Sequence, residues 1–335
     1  MKPFHVLVTD RFELDAYARL QGDSRLRVAK SAEPQPTAEE LATVDGLAIR
    51  SRTRVDRSLL EKSPRLRVIV TATSGFDHID LDACRERGIQ VMYTPEANAA
   101  SAAELTWALV LACARRVVDA HRSVKGGDWK RESLIGTQLE GKTYGIVGLG
   151  RIGTRVARMA QAFGMKVIAF DPYKENDHFE TLGAQRFAID ELFMLADVVS
   201  VHVPAADETR GMIHRHLLET ANRSLILVNT SRGSVVSEQD LVEGLNMGWI
   251  SACGLDVYER EPLPRYSGLL NLPNVVLSPH IGATTKEAFA KASWDAAEKL
   301  RAFAGSETVS DPLPPTDPWW MAGFSKGSLK SAPTE

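Results

Sequence analysis

Short apolar runs alternate with helix-like segments along the first hundred residues of the chain. The runs have the length and composition of buried strands, and they are Val6–Val8, Leu47–Ile49, Val68–Val70 and Ile89–Tyr93. Segments around 37–41, 58–62 and 81–87 carry apolar residues at helical spacing between these runs. The alternation predicts a parallel sheet with helices on both faces.

A second series of strands and helices begins near Thr143. Its later predicted strands are Val167–Phe170, Val198–Val203, Leu225–Asn229, Ala252–Val257 and Val275–Leu277. Residues 285–304 then have helical spacing and no following strand, so we expect the chain to return to the first sheet there. The whole pattern predicts an α/β protein with two doubly wound parallel-sheet domains that flank a cleft.

A Gly-Leu-Gly-Arg-Ile-Gly sequence at 148–153 directly follows an apolar, strand-like run. In such a turn Gly148 permits the tight bend, Gly150 lets the backbone approach a pyrophosphate, and Gly153 lets the next helix pack closely. Arg151 and Ile152 would then lie beside the diphosphate, where a helix N-terminus offers unpaired N–H groups. The alternative is a glycine turn in an ordinary strand-helix unit.

An acidic residue, Asp171, closes the next predicted strand 18 positions after Gly153. A carboxylate at that place accepts a hydrogen bond from a ribose 2′-hydroxyl and repels a 2′-phosphate. The sequence therefore predicts a dinucleotide site that prefers NAD to NADP. Lys174 and Arg186 are the nearby cations that would weaken this preference.

Composition narrows the class of protein further. The 335 residues carry a net charge of −3 without a block of like charge, which predicts no nucleic-acid or membrane partner. Three widely spaced cysteines fit neither a disulfide framework nor a metal site and indicate a reducing, cytoplasmic location. No apolar stretch near the start has the length of a secretion signal.

Three polar residues, Arg232, Glu261 and His280, follow predicted strands in the second half of the chain. Ligands of open α/β sheets bind beyond the carboxyl ends of the strands. Arginine holds a carboxylate through two parallel N–H donors, whereas histidine exchanges a proton near neutral pH and a carboxylate partner orients its ring. Taken singly, each also fits a structural role, as a solvated loop arginine, a surface carboxylate or a capping histidine.

Four ordered segments together resemble the D-isomer-specific 2-hydroxyacid dehydrogenase family: the glycine turn at 148–153, then 229–233, 256–262 and 278–284. The resemblance spans about Val6 to Ala304. It implies an NAD-dependent enzyme that exchanges a hydride between C2 of a small 2-hydroxy acid and nicotinamide. It also implies a flavodoxin-like substrate domain at 1–97 plus 285–335 and a Rossmann NAD-binding domain at 98–284.

The resemblance assigns roles to individual residues. His280 would be the acid or base, Arg232 would bind the substrate carboxylate and polarise the 2-oxo group, and Glu261 would hold the histidine ring and favour the imidazolium. Asp256 would receive the nicotinamide amide, and Thr230 would contribute backbone on the same side. Further cofactor contacts match Val203, Pro204 and Gly282.

One loop of the first domain is a candidate for contact with the substrate. Ser74 and Gly75 follow a predicted strand and resemble a family loop whose backbone N–H groups face the substrate. A plain strand-to-helix turn with Asp80 as N-cap fits the same residues. His78 stands where the family commonly has asparagine, and we interpret it as a surface variation.

Arg50 and Arg52 lie in a second loop of the first domain, which is similar to a phosphate-binding loop of D-3-phosphoglycerate dehydrogenases. The similarity favours oxidation of 3-phosphoglycerate, in serine biosynthesis, without the regulatory extension that many such enzymes carry. A solvated basic loop fits equally, so glyoxylate or hydroxypyruvate reduction and erythronate-4-phosphate oxidation stay open. An NAD-sensing corepressor of the same fold is the alternative outside enzymes.

Two further segments concern assembly. The apolar helix predicted at Asn98–Val118 resembles the family's dimer element, which implies a homodimer. The tail beyond Ser310 contains Trp319 and Trp320, and we expect it to dock on a surface because disordered segments rarely carry adjacent tryptophans.

Overall fold

The computed structural model describes residues 2–315. Contacts between residues divide the chain into two units: one holds the chain up to Asn98 and again from Thr284, and the other is Ala99–Ala283. These limits differ by one residue from the domain boundaries predicted from the sequence. The tail with Trp319 and Trp320 lies outside the described residues.

The first unit begins with five parallel strands and four helices. The strands are β1 (Phe4–Val8), β2 (Leu26–Lys30), β3 (Gly46–Ile49), β4 (Val68–Thr71) and β5 (Gln90–Tyr93). The helices are α1 (Leu14–Gln21), α2 (Ala38–Leu41), α3 (Arg57–Glu61) and α4 (Leu81–Glu86). The strands lie in the order β5-β4-β3-β1-β2, which is the flavodoxin-like order, and the direction of winding reverses between β1 and β3.

The second unit is a seven-stranded parallel sheet between helices. Its strands are β6 (Thr143–Val147), β7 (Lys166–Phe170), β8 (Gln185–Arg186), β9 (Val198–Val201), β10 (Ile226–Asn229), β11 (Ala252–Leu255) and β12 (Val275–Leu277). Its helices are α5 (Ala99–Arg115), α6 (Val117–Lys125), α7 (Arg151–Ala162), α8 (Asn176–Thr181), α9 (Ile189–Leu195), α10 (Arg215–Thr220) and α11 (Glu238–Met247). The order β12-β11-β10-β9-β6-β7-β8 is that of a Rossmann sheet, so the fold class predicted from the sequence is confirmed.

The chain re-enters the first unit through α12 (Lys286–Ala304) and ends its described part with β13 (Pro312–Leu313). β13 pairs antiparallel with β5, so the prediction that no strand follows the last helix is wrong. The strand is short, and α12 holds the residues that precede it. Nζ of Lys299 in that helix donates to the Ser310 hydroxyl at 2.6 Å and to the Asp311 carboxylate at 2.5 Å. Sequence periodicity does not detect a two-residue strand of this kind.

Each sheet is buried on both faces, which explains why its strands appear in the sequence as continuous apolar runs. Val6 and Val8 of β1 pack into one core cluster of the first unit and Leu7 into the other. In the second unit Val198 of β9 faces the cluster beneath α5 and α7, whereas Val199 faces the opposite cluster. The two layers of helices hold the carboxyl ends of the strands at one edge of each sheet.

The helix predicted at Asn98–Val118 is interrupted. α5 ends at Arg115, and Arg116 has a φ of 49°, so its left-handed backbone turns the chain before α6 begins. The Arg116 side chain fills the break by donating to the Asp119 carboxylate at 3.1 Å and to the Ser133 carbonyl at 2.8 Å. Over the residues that the structure describes, no helix has both the length and the apolarity of a membrane span.

Candidate active site

The glycine turn at 148–153 connects β6 to α7. Gly148 has a φ of 96°, and a Cβ placed there would lie 2.8 Å from the His202 carbonyl oxygen. A Cβ on Gly153 would lie only 2.0 Å from the carbonyl oxygen of Gly148. Gly150 differs, because a Cβ there would meet nothing within 4 Å. The first and third glycines are therefore required by the fold, whereas the second borders open space.

The amino end of α7 has the features of an anion site. Gly150 is its N-cap and has no side chain that could bond to the N–H groups of the first turn. Arg151 is exposed and Ile152 is half-buried at the first two helical positions. Since a helix N-terminus and its dipole favour negative charge, these residues fit the diphosphate of a dinucleotide.

Asp171 lies at the end of β7, beside the turn, and is 9% exposed. One carboxylate oxygen accepts a hydrogen bond from the backbone N–H of Leu149 at 2.9 Å. The other accepts from the N–H of Tyr173 at the same distance. Because each carboxylate oxygen can accept more than one donor, Asp171 can hold the turn and still accept from a ribose hydroxyl, and that contact stays a prediction.

Val203 and Pro204 follow β9 at the same sheet edge. The Val203 side chain lies against Gly148, where an added Cβ would be 2.9 Å from its Cγ1. The Pro204 carbonyl accepts from the Thr209 hydroxyl at 2.6 Å.

Sequence reasoning missed His202, which precedes Val203. Its Nε2 lies 2.8 Å from the Ser200 hydroxyl, and burial lowers the pKa of the ring to about 3. Its ring therefore stays neutral next to the nucleotide turn.

Arg232 follows β10 in a loop that its neighbours fix. The Asn229 side chain donates to the Arg232 carbonyl at 2.9 Å and accepts from the Ser231 N–H at 3.0 Å. A Cβ on Gly233 would lie 1.9 Å from the Tyr258 carbonyl, so only glycine lets this loop touch the loop after β11. Arg232 is half-buried, and its NH1 donates to the Ser231 carbonyl at 2.8 Å.

Thr230 lies in the same loop and is buried. Its hydroxyl is 2.8 Å from the hydroxyl of Thr106 in α5, so the side chain faces the core. This leaves the backbone as the part of Thr230 that could contact a cofactor, and the contact itself stays a prediction.

Asp256 follows β11 and organises the loop after β12. Its side chain is fully buried and accepts hydrogen bonds from the Ser278 hydroxyl at 2.6 Å and the N–H groups of Ile281 at 2.9 Å and Gly282 at 2.8 Å. Its own carbonyl accepts from the His280 N–H at 2.8 Å. The contact of Asp256 and Gly282 with nicotinamide stays a prediction. The observed role of Asp256 is to hold the loop after β12, which carries His280, through these hydrogen bonds.

His280 and Glu261 are in direct contact. Nδ1 of His280 lies 2.7 Å from Oε2 of Glu261, and the second carboxylate oxygen accepts from the Tyr258 N–H at 3.2 Å. His280 has a φ of 53°, a left-handed conformation that the hydrogen bonds to Asp256 maintain. The ring is about half exposed, and with Nδ1 engaged, Nε2 is the nitrogen that can exchange a proton.

Tyr258 is a second residue that sequence reasoning missed. Its hydroxyl donates to the Ser278 carbonyl at 2.8 Å and so joins the loops after β11 and β12. Burial, together with the nearby Asp256 carboxylate, raises the pKa of Tyr258 to about 12. The phenol therefore stays protonated and keeps donating at physiological pH. The position of Tyr258 in the sequence, three residues before Glu261, does not indicate that its hydroxyl bonds to the loop after β12.

The first unit places Arg50 and Arg52 after β3 and Asp10 after β1, two neighbouring strands. Arg52 donates through Nε to Asp10 at 3.0 Å and also through NH2, and its charge is thereby compensated. Arg50 instead lies over the ring of Phe289, with its Cζ 4.9 Å from the ring centroid. NH1 of Arg50 is buried and has no hydrogen-bond partner within residues 2–315.

Ser74 and Gly75 follow β4, the next strand of that sheet, and both are half-buried. The Thr73 hydroxyl donates to the Gly75 carbonyl at 2.7 Å and fixes the loop. Nε2 of His78 lies 3.2 Å from the Thr71 hydroxyl, so the interpretation of His78 as a surface variation is wrong. Its ring anchors the loop to the end of β4.

The described part of the chain has no cluster of three or more histidine, cysteine or acidic side chains arranged to hold a metal ion. Cys84, Cys113 and Cys253 are unpaired. Burial raises the pKa of Cys84 and of Cys113 to about 12, so both are thiols at neutral pH.

Comparison with known proteins agrees with this geometry. Residues 107–282 match the family model described as D-isomer specific 2-hydroxyacid dehydrogenase, NAD binding domain. This range contains the glycine turn and the loops after β10, β11 and β12. The predicted family and the predicted cofactor, NAD, are confirmed by this match.

Individual relatives carry different names. A D-3-phosphoglycerate dehydrogenase of Methanocaldococcus jannaschii is 40% identical over 91% of this chain, which spans only 58% of that relative. A hydroxypyruvate reductase of Thermotoga maritima is 40% identical over 90% of this chain and 98% of its own length. The solved structure of D-lactate dehydrogenase from Aquifex aeolicus with NAD and lactic acid is 30% identical, with a TM-score of 0.80 over 90% of this chain and 96% of that one.

Proposed function

Because this chain belongs to the D-isomer specific 2-hydroxyacid dehydrogenase family, we propose that it transfers a hydride between C2 of a D-2-hydroxy acid and NAD. The observation that carries the proposal is the 2.7 Å contact between His280 and Glu261 at the carboxyl end of the NAD-domain sheet. An imidazole with one nitrogen held by a carboxylate and the other accessible is suited to proton exchange with a hydroxyl.

Each residue of the proposed site has a separate role in the reaction. Arg232 binds the substrate carboxylate with its planar guanidinium. Nε2 of His280 takes the proton of the C2 hydroxyl during oxidation and returns it during reduction, while Glu261 holds the ring through Nδ1. Bound NAD supplies the acceptor for the C2 hydride. With the hydroxyl proton held on His280 and a bound cofactor that would accept the hydride, oxidation of a hydroxy acid to an oxo acid would be balanced.

For the substrate we propose D-3-phosphoglycerate, which would place the reaction in serine biosynthesis. The support comes from Arg50, whose buried NH1 has no partner within the described residues, whereas Arg52 is neutralised by Asp10. A buried cationic donor without an acceptor favours an anionic ligand, and guanidinium suits phosphate geometry. Reduction of hydroxypyruvate is the second candidate, because the hydroxypyruvate reductase of T. maritima is matched over nearly its full length.

The two candidates are separated by a matched pair of substrates. 3-Phosphohydroxypyruvate and hydroxypyruvate differ only in the phosphate, so their kcat/KM values with NADH isolate its contribution. We expect a preference for the phosphorylated acid of about 100-fold, the size of one strong charge-assisted hydrogen bond, and Arg50→Gln removes most of it. Equal kcat/KM values would reject the phosphoglycerate proposal, and no oxidation of NADH with any 2-oxo acid would reject the dehydrogenase proposal.

We also propose that the protein is a homodimer. α6 has no buried residue, and the segment around it exposes Trp129 by 81% and Ile135 by 82%. A second copy that covers this surface would bury the apolar area in a symmetric interface. Light scattering of the full chain should give the mass of a dimer, and Trp129→Glu with Ile135→Glu should give a monomer. Dimers of that double variant would place the interface elsewhere.

A cytoplasmic location is proposed on the three free thiols, which persist in reducing compartments. Fractionation of cells that express the tagged full chain tests it.

A further inference from the structure

Two arginines of one loop are held in opposite ways. Arg52 is paired with the Asp10 carboxylate, which is almost completely buried. Arg50, two residues earlier, lies over the Phe289 ring at 4.9 Å from its centroid, inside the range of a cation–π contact. The two side chains therefore have similar sequence surroundings but different chemical partners.

The nature of the partner decides what the arginine can still do. A carboxylate neutralises the guanidinium and accepts some of its N–H groups, so the Asp10 pair leaves Arg52 with less net charge to attract an anionic ligand. An aromatic face attracts the cation without accepting the N–H groups at its edge. Arg50 accordingly keeps its charge, and its buried NH1 stays without an acceptor within residues 2–315. Burial lowers the pKa of Arg50, and a bound anion would relieve that cost.

The place of Arg50 in the fold is one where ligands bind. Arg50 follows β3 and Asp10 follows β1, and the strand order of the first unit reverses between these two strands. In open α/β sheets the crevice for a ligand lies at such a reversal, outside the carboxyl ends of the strands. The Asp10 carboxylate attracts Arg50 as well as Arg52, whereas Arg11, also after β1 and exposed, adds a positive charge near Arg50, so one carboxylate lies among three arginines.

Phe289 is held firmly enough to act as a support. It lies in the first turn of α12, where its backbone N–H donates to the Thr285 carbonyl at 3.0 Å. The Thr285 hydroxyl caps the same turn by accepting from the Ala288 N–H at 3.1 Å. The ring position is therefore set by the helix start, and the ring itself is half-buried.

We propose that Phe289 is a positioning residue for substrate selection: its ring holds the Arg50 guanidinium, whose buried NH1 has no acceptor within residues 2–315, for the second anionic group of the substrate. This inference rests on the proposed function, and it adds a residue that does not itself touch the reacting atoms. The ligand class is a 2-hydroxy or 2-oxo acid with a phosphate or second carboxylate at the end away from C2. A carboxylate at position 289 would neutralise Arg50 and abolish the selection.

The test compares Phe289→Leu with two matched variants. Phe289→Tyr keeps an aromatic face under Arg50, and Phe303→Leu removes another ring of α12 that lies 5.6 Å from Cζ of Arg67. KM and kcat are measured with 3-phosphohydroxypyruvate and with hydroxypyruvate. We expect Phe289→Leu to raise KM for the phosphorylated acid about tenfold, with kcat and the KM for hydroxypyruvate within twofold. Phe289→Tyr and Phe303→Leu should match the wild type.

Calorimetric titration of the full chain with 3-phosphoglycerate, without NAD, provides a readout that needs no turnover. Binding weakened by Phe289→Leu and restored by Phe289→Tyr supports the inference even if the wild type proves inactive, in which case only the proposed function fails. Equal losses for both substrates, the same loss in Phe303→Leu, or unchanged 3-phosphoglycerate affinity overturns it. If Phe289→Leu does not fold, Phe289→Met, which keeps the volume but lacks the ring, takes its place with the same expected outcomes.

Discussion

Nδ1 of His280 lies 2.7 Å from Oε2 of Glu261, although 19 positions separate the two residues along the chain. An ionised carboxylate only accepts hydrogen bonds, so the proton of a neutral ring is on Nδ1 and the lone pair is on Nε2. Glu261 thereby selects the tautomer that can act as a base.

Glu261→Gln is expected to lower kcat by about 100-fold, because the amide no longer stabilises the imidazolium formed when the proton is taken. The dissociation constant for NADH should stay within twofold, since the carboxylate bonds to His280 and to the Tyr258 backbone. Steady-state kinetics and a fluorescence titration with NADH measure the two effects. A kcat within threefold of the wild type would remove Glu261 from the catalytic unit.

Asp171→Ala should relax the discrimination between NAD and NADP by about tenfold or more, because a hydrogen bond to a charged acceptor is lost together with the repulsion of a 2′-phosphate. The variant also frees the Leu149 N–H, which Asp171 now accepts at 2.9 Å. Asp171→Asn is the control, since it keeps an acceptor for that N–H but removes the charge. The ratio of kcat/KM for the two cofactors is the readout, and an unchanged ratio in both variants would show that the ribose ligand lies elsewhere.

Gly150→Ala and Gly153→Ala should separate cofactor binding from folding. A Cβ at Gly150 meets nothing within 4 Å, so Gly150→Ala keeps its melting temperature within about 2 °C and weakens NAD binding by occupying the space of the diphosphate. A Cβ at Gly153 would overlap the Gly148 carbonyl oxygen at 2.0 Å, so Gly153→Ala lowers the melting temperature instead. Thermal unfolding with and without NAD measures both. Equal NAD affinity in Gly150→Ala and the wild type would contradict the assigned role of the turn.

His202 makes stability depend on pH. Burial lowers its pKa from 6.5 to about 3, so the folded protein keeps the ring neutral while the unfolded chain binds a proton below about pH 6.5. The free energy of unfolding therefore falls as the pH drops from about 6.5 towards 3, by about 2 kcal/mol at pH 5 for this group. Urea unfolding of His202→Gln at pH 7 and pH 5 should lose less stability between the two pH values than the wild type. Equal losses would mean that His202 titrates normally in the folded protein.

Much of the fold could be predicted because its main signals are local. The glycine turn, the buried strands of both sheets and the helix that begins after Thr285 appear in the sequence as short patterns of glycine and apolar residues. The strands missed within the two series are polar and lie at sheet edges: β2 has a single buried residue, and both residues of β8 are exposed. An edge strand with few buried residues has no apolar run to mark it.

The contacts that build the site were less accessible to sequence reasoning. Arg232, Glu261 and His280 could be named from their motifs, but the three donors that converge on Asp256 and the approach of Gly233 to Tyr258 depend on which strands become neighbours. The difference between the partners of Arg50 and Arg52 depends on where α12 begins, because Phe289, more than 200 residues later in the chain, lies against Arg50. Spacing along the sequence carries no information about such pairs.

His280 is proposed to exchange the proton in an NAD-dependent hydride transfer. The decisive experiment measures the rate of NADH oxidation with 3-phosphohydroxypyruvate and hydroxypyruvate in the wild type and in His280→Ala, alongside the NADH dissociation constant of each. We predict a fall in kcat of about 1,000-fold with the dissociation constant within twofold, as expected for the loss of a general acid. Turnover at the wild-type rate in His280→Ala would show that another group exchanges this proton.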